Sequence, residues 1–200
     1  MEKLTMVATT CANAELYLRE LHELIGKLDC VAIDAVSQHI FEVWTNDGLV
    51  LTMGNGGSAF TASHFVTDLV KTAAVDGHRR LRALSLADNT GLLTAIGNDI
   101  AYEQSFVYSL ESYARVNDLA IVISASGNSP NIVTASQWAK EHGVLLVALT
   151  GFSGGEIGSI ADVHVNVPSN NYGTIEDLHL SIGHMISQKL RSMVLCNGIK

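Results

Sequence analysis

The groups in this chain best placed to do chemistry are imidazoles and carboxylates at helical spacing. His64 and Asp68 stand four residues apart. Glu176 and His179 stand three apart, while Asp177, Ser181 and His184 follow at i, i+4 and i+7, so each set shares one helical face. The stretch from Thr174 to Ile186 places these groups among apolar residues, where a helix used only for packing carries Leu or Ala. Three uses fit such groups. They can ligate a divalent metal, supply an acid and a base near one carbon, as proton transfer beside a carbonyl requires, or hold helices together by hydrogen bonds.

Two polar turns add a ligand class. Gly54-Asn55-Gly56-Gly57-Ser58 follows the apolar run Leu49 to Met53 and opens the helical pattern that carries His64 and Asp68. A strand feeding a glycine-rich turn into a helix start offers bare backbone N–H groups and a favourable dipole to an anion. The glycines match neither the nucleotide-binding loop with its Lys-Ser/Thr nor the dinucleotide-binding turn. A second apolar run, Leu119 to Ile123, leads into Ser124-Ala125-Ser126-Gly127-Asn128-Ser129-Pro130, with proline at a predicted helix start. Ordinary capping would explain one such turn, since Ser and Asn are preferred N-caps. Two turns on strands of one sheet favour a cleft for a phosphorylated small molecule.

Elements that could position these groups are visible in the pattern. Apolar residues at helical spacing from about Thr9 to Trp44 predict two helices joined near Asp29-Cys30. Short apolar runs bounded by Gly, Asp, Asn or Pro predict strands at about 48–53, 81–86, 118–123, 144–149 and 162–167, with helices between them. The alternation implies an α/β fold: a doubly wound, five-stranded parallel sheet flanked by helices, with ligands at the carboxyl ends of strands near a topological switch point. Residues 1–45 read as an N-terminal helical segment and 46–200 as the sheet domain, one domain overall. The apolar surplus of the N-terminal helices suits packing against another copy of the chain.

Composition limits the classes of function. The 200 residues are 48% apolar and 16% charged, enough for a full core. No apolar run approaches the ~20 residues of a membrane span, and no secretory signal pattern opens the chain, so a cytoplasmic protein without a membrane partner is expected. A net charge of −8 argues against a nucleic-acid surface. His78-Arg79-Arg80 with Arg82 forms a short basic cluster, read as a solvated loop before a strand, or else as a reach toward a phosphate in a neighbouring subunit's cleft. Cys11, Cys30 and Cys196 lack metal-type spacing and predict reduced thiols.

The succession of Gly54-Asn55-Gly56-Gly57-Ser58 with His64, then Leu93 to Asp99, Ser124 to Asn131, Leu149-Thr150-Gly151 with Gly154-Gly155, Val167-Pro168-Ser169 and the helix from Glu176 to His184 resembles the sugar isomerase (SIS) domain, and within it the phosphoheptose isomerase family. The likeness runs in unbroken order over about residues 45 to 190. It implies phosphosugar clefts at subunit contacts in a homotetramer, conversion of sedoheptulose 7-phosphate to an aldoheptose 7-phosphate, zinc in many members, and no organic cofactor. By the same resemblance Ser124, Ser126 and Ser129 hold the phosphate, and Asn55, Gly56, Gly57, Ser58, Asp99 and Glu176 contact the sugar. His64, Asp68, Glu176 and His184 fall at the metal positions, and Asp68 and His184 at those of the catalytic base and acid. The chain has Asp68 where the family usually has glutamate, Thr72 for arginine, Ala125 for threonine, Gly173 for aspartate and Glu176 for glutamine. Non-catalytic members of the same family, associated with replication initiation, supply the alternative of a phosphosugar-binding or protein-interaction module.

Overall fold

The computed structural model describes residues 13–199. Thr9, where the first helical pattern begins, and Cys11 lie outside the described residues. In chain order the elements are α1 (Ala14–Ile25), α2 (Cys30–Thr45), β1 (Leu49–Gly54), α3 (Gly57–Thr67), β2 (Arg82–Ser85), α4 (Thr90–Asp99), α5 (Ser105–Tyr113), β3 (Leu119–Ser124), α6 (Pro130–Glu141), β4 (Leu145–Thr150), α7 (Gly155–Ile160), β5 (Val163–Asn166) and α8 (Tyr172–Asn197). Each strand lies within about a residue or two of its predicted bounds. The last helix runs well beyond the polar segment that announced it, to Asn197.

The five strands are all parallel, in the order β2-β1-β3-β4-β5. Side chains alternate across a strand, and β3 shows the result. Leu119, Ile121 and Ile123 face one core with α1, α2, α3 and α8, while Ala120 and Val122 face a second core with α5, α6 and α7. Both faces are therefore covered, which is why the strands read as continuous apolar runs. Leu24 of α1 and Ile33, Val36 and Ile40 of α2 belong to the first core, so the N-terminal helices pack on the sheet domain.

Connections leave β1 toward β2 on one side and β3 toward β4 on the other. The switch point therefore falls between β1 and β3, which pair from Val50↔Leu119 to Gly54↔Ile123. Both polar turns leave the sheet there.

The basic cluster is a loop leading into β2 with Arg80 and Arg82 exposed, as expected, while Arg79 is half-buried. Arg79 donates to the Trp44 and Thr45 carbonyls at 2.6 and 2.9 Å, and Arg82 donates to the Asp47 carbonyl at 2.7 Å. These cations bond carbonyls at and just beyond the end of α2, where the helix dipole favours positive charge. Cys30 and Cys196 are free and exposed. Among the described residues no helix is long and apolar enough to cross a membrane.

Candidate active site

The first turn is built by the absence of side chains. Gly56 adopts φ +54°, a conformation that L side chains rarely take, and caps α3 with no side-chain hydrogen bond. Gly54 approaches so closely that an added Cβ would lie 2.6 Å from the Ser58 carbonyl oxygen. In the second turn Ser124 Oγ accepts from the Gly127 N–H at 3.2 Å and Ser126 Oγ from the Asn128 N–H at 3.3 Å. Ser129 stands at the N-cap of α6 without a side-chain capping bond.

Capping elsewhere shows what these turns lack. Asn13, Asp29, Asn89 and Asn171 each cap their helix through the side chain, at α1, α2, α4 and α8. The starts of α3 and α6 have no such cap, as is also true of α5 and the short α7. Pro130 has no N–H, and the Ala59 and Ile132 N–H groups bond backbone carbonyls of their own turns. The Gly57 and Ser58 N–H groups of α3 and the Asn131 N–H of α6 remain available to an anion.

An amide pair ties the turns together. Asn55 Nδ2 donates to Asn131 Oδ1 at 2.8 Å, and Asn131 Nδ2 returns a hydrogen bond to Asn55 Oδ1 at 2.9 Å. Buried Asn131 also donates to Ser105 Oγ at 3.2 Å, and the Tyr102 hydroxyl donates to Asn55 Oδ1 at 2.9 Å. The Asn55 carbonyl is thus committed to the frame, leaving one amide hydrogen for a ligand. Asn131 and Tyr102 were absent from the sequence-derived site. Asn131 carries a readable signal in the asparagine that follows Pro130, whereas Tyr102 carries none.

Histidine and carboxylate bearers converge beside the turns. His64 on α3 and His184 on α8 bring their Nε2 atoms to 3.0 Å from each other, and each Nε2 lies 3.4 Å from Asp68 Oδ2. Both imidazoles are about half exposed, whereas the Asp68 side chain is nearly buried, at 11%. Asp68 does not continue a regular α-helix. It begins a π-helical turn through Thr72, in which the Ala73 N–H reaches back five residues to the Asp68 carbonyl at 2.9 Å. Thr72 Oγ1 donates to Asp68 Oδ1 at 2.8 Å. Oδ2 has no hydrogen-bond partner among the described residues.

These atoms suit a cation. Tetrahedral zinc with bonds of about 2.0–2.1 Å separates its ligand atoms by roughly 3.3 Å, close to the separations within the triad. A buried carboxylate oxygen without a donor, facing two imidazole nitrogens, fits a metal position and equally a site of proton exchange.

Other expected residues lie elsewhere. The Glu176 carboxylate rests over Gly57, where an added Cβ would be 2.5 Å from Oε2, and stays outside the three-residue cluster. Gly57 has no side chain to keep it away. Burial first, then neighbouring Asp177, raise the Glu176 carboxyl above its ordinary range. Asp177 instead accepts from the Tyr17 hydroxyl at 2.6 Å. Asp99 is exposed at the end of α4, where it accepts from Asn98 at 2.7 Å; no hydrogen bond joins it to the turns among the described residues. Ser58 is buried at the start of α3. His179, on the predicted polar face, is wholly buried and hydrogen-bonds the Thr150 carbonyl at 2.9 Å, so its role is structural.

The sequence matches the SIS domain family over residues 16–151, a span that starts in α1 and ends just past β4. The phosphoheptose isomerase of Citrifermentans bemidjiense is 36% identical over 193 residues, which cover 96% of this chain and 100% of that protein. Among solved structures, the phosphoheptose isomerase of Neisseria gonorrhoeae superposes with a TM-score of 0.80 at 31% identity, covering 88% of this chain and 92% of its own. The corresponding enzyme of Francisella tularensis gives 0.81 at 28% identity, covering 89% and 94%.

Proposed function

The chain belongs to the SIS domain family, among the phosphoheptose isomerases, and on that premise we propose that it isomerises sedoheptulose 7-phosphate to D-glycero-D-manno-heptose 7-phosphate through an enediolate. The observation that carries this reading is the convergence of His64, Asp68 and His184 in a chain whose helices α3 and α6 start at the switch point without side-chain caps.

The phosphate sits in the second turn, held by Ser124, Ser126, Ser129 and the N–H groups of α6; a serine that already accepts a backbone N–H keeps its own O–H to give. Asn55, Gly56, Gly57, Ser58, Asp99 and Glu176 serve the sugar. The Glu176 carboxylate accepts from a sugar hydroxyl. Asp68 takes the proton from C1 of the ketose and returns it to C2. His184 protonates the C2 oxygen as the enediolate forms, and takes up the proton lost from the C1 hydroxyl. Zinc is the ion proposed for the triad, and when bound it supplies a positive charge that stabilises the enediolate oxygens. The homotetramer that the family resemblance implies is supported by exposed apolar residues, Leu18 and Ile25 of α1, Val31 of α2 and Phe60 of α3, at 61, 55, 80 and 79%, which offer surface for contact with other copies of the chain.

The test is aldose formation from sedoheptulose 7-phosphate by the purified protein, with and without zinc. Asp68→Asn and His184→Ala should each lower turnover by about a hundredfold or more, the ordinary contribution of a general acid or base. Binding of phosphosugars without turnover of any would instead identify a non-catalytic module.

A further inference from the structure

The two oxygens of Asp68 have different fates, and one threonine separates them. Thr45, Thr61, Thr67, Thr94 and Thr134 each turn their hydroxyl back onto the carbonyl four residues earlier, at 2.7 to 3.3 Å, the usual habit of threonine in a helix. Thr72 breaks that habit. Its hydroxyl goes to the side chain four residues back, reaching Asp68 Oδ1 at 2.8 Å. Thr72 lies in the π-helical turn, where the Asp68 carbonyl accepts from the Ala73 N–H instead of the N–H of Thr72. The terminal torsion of aspartate is soft, so a carboxylate without that hydroxyl is free to turn until both oxygens, and not one, lie toward the imidazoles.

We propose that Thr72 is a positioning residue: its hydroxyl holds Asp68 Oδ1 so that Oδ2 alone faces His64 and His184. The inference rests on the reading of the triad as a cation and proton-transfer site. Among the described residues the Thr72 hydroxyl bonds Asp68 and neither imidazole nor the polar turns, so it acts through the carboxylate. Groups that orient a ligating carboxylate typically affect metal affinity by 10–100-fold.

The experiment compares Thr72→Val, which keeps the shape and removes the hydroxyl, with Thr72→Ser, which restores the hydroxyl. Zinc affinity is measured by competition with a chromophoric chelator, alongside kcat and KM for sedoheptulose 7-phosphate and the thermal midpoint without zinc. Thr72→Val should bind zinc about tenfold more weakly and show a lower kcat at nearly unchanged KM, while Thr72→Ser stays within about twofold of wild type. Thr72 is exposed, so both variants should melt near wild type. Wild-type zinc affinity and kcat in Thr72→Val would overturn the proposal; so would a loss that serine does not rescue. Wild-type protein that binds zinc and turns over no phosphosugar would refute the proposed reaction, with the zinc affinities still deciding the role of Thr72.

Discussion

Acid should weaken this fold through one histidine far more than through an average titrating group. His179 has no exposed surface, its Nε2 meets the Thr150 carbonyl at 2.9 Å, and its Nδ1 has no partner among the described residues. Burial pushes its pKa down from the ordinary 6.5 to about 4, with the Thr150 carbonyl pulling slightly the other way. In the unfolded chain the imidazole takes a proton below about pH 6.5; in the folded protein it resists until about pH 4. Between those values the unfolded state binds more protons, so stability falls as pH falls and the loss levels off below about pH 4. A gap from 6.5 to about 4, at about 1.4 kcal/mol per pH unit, amounts to about 3 kcal/mol. That is a large share of the 5–15 kcal/mol typical of a domain. The assay is urea unfolding at pH 7.5 and pH 4, for wild type and His179→Gln, in which the amide can still donate to Thr150. Groups shared by both proteins, including His164, whose pKa burial also lowers, cancel in the comparison. Wild type should lose about 3 kcal/mol more than the variant between the two conditions; parallel losses would refute the reasoning.

Two further outcomes follow from the cleft. Gly57→Ala would meet only the end of the flexible Glu176 side chain, whereas Gly54→Ala would meet the Ser58 backbone at 2.6 Å. Thermal melts should therefore show Gly57→Ala near wild type, with KM raised severalfold as Glu176 is displaced, and Gly54→Ala destabilised by about 1–3 kcal/mol. Zinc at about a hundred times its dissociation constant should stabilise the protein by about 2.7 kcal/mol. Calorimetry should show this shift in wild type and its loss in His64→Ala.

Most of the frame was readable because both faces of the sheet are buried. Leu119 to Ile123 is apolar throughout for that reason, so its limits stand out against the polar turns. Strand order was not readable, since nothing local to β2 says that it pairs with β1. At the site, His64 and Asp68 were visible as neighbours, but the spacing implied a regular α-helix and gave no sign of the π-helical turn. That turn depends on how the chain leaves α3 beneath α8. His179 and His184 looked alike in sequence, since both sit among apolar residues. Tertiary packing separates them, burying one against Thr150 and turning the other to His64. Glu176 was drawn toward the histidines by its place on the polar face, yet a glycine in another element decides where its carboxylate rests.

The reciprocal amides of Asn55 and Asn131 clamp the first polar turn to the start of α6. In the proposed reading one of these turns takes the phosphate and the other the sugar, and the turns cannot separate without breaking both hydrogen bonds, each of which contributes about 1 kcal/mol. Under that proposal the separation of the two turns is one determinant of the sugar length the site accepts. Adapting the scaffold to a shorter or longer sugar would have to proceed through the side chains that line the gap, with the gap itself left alone.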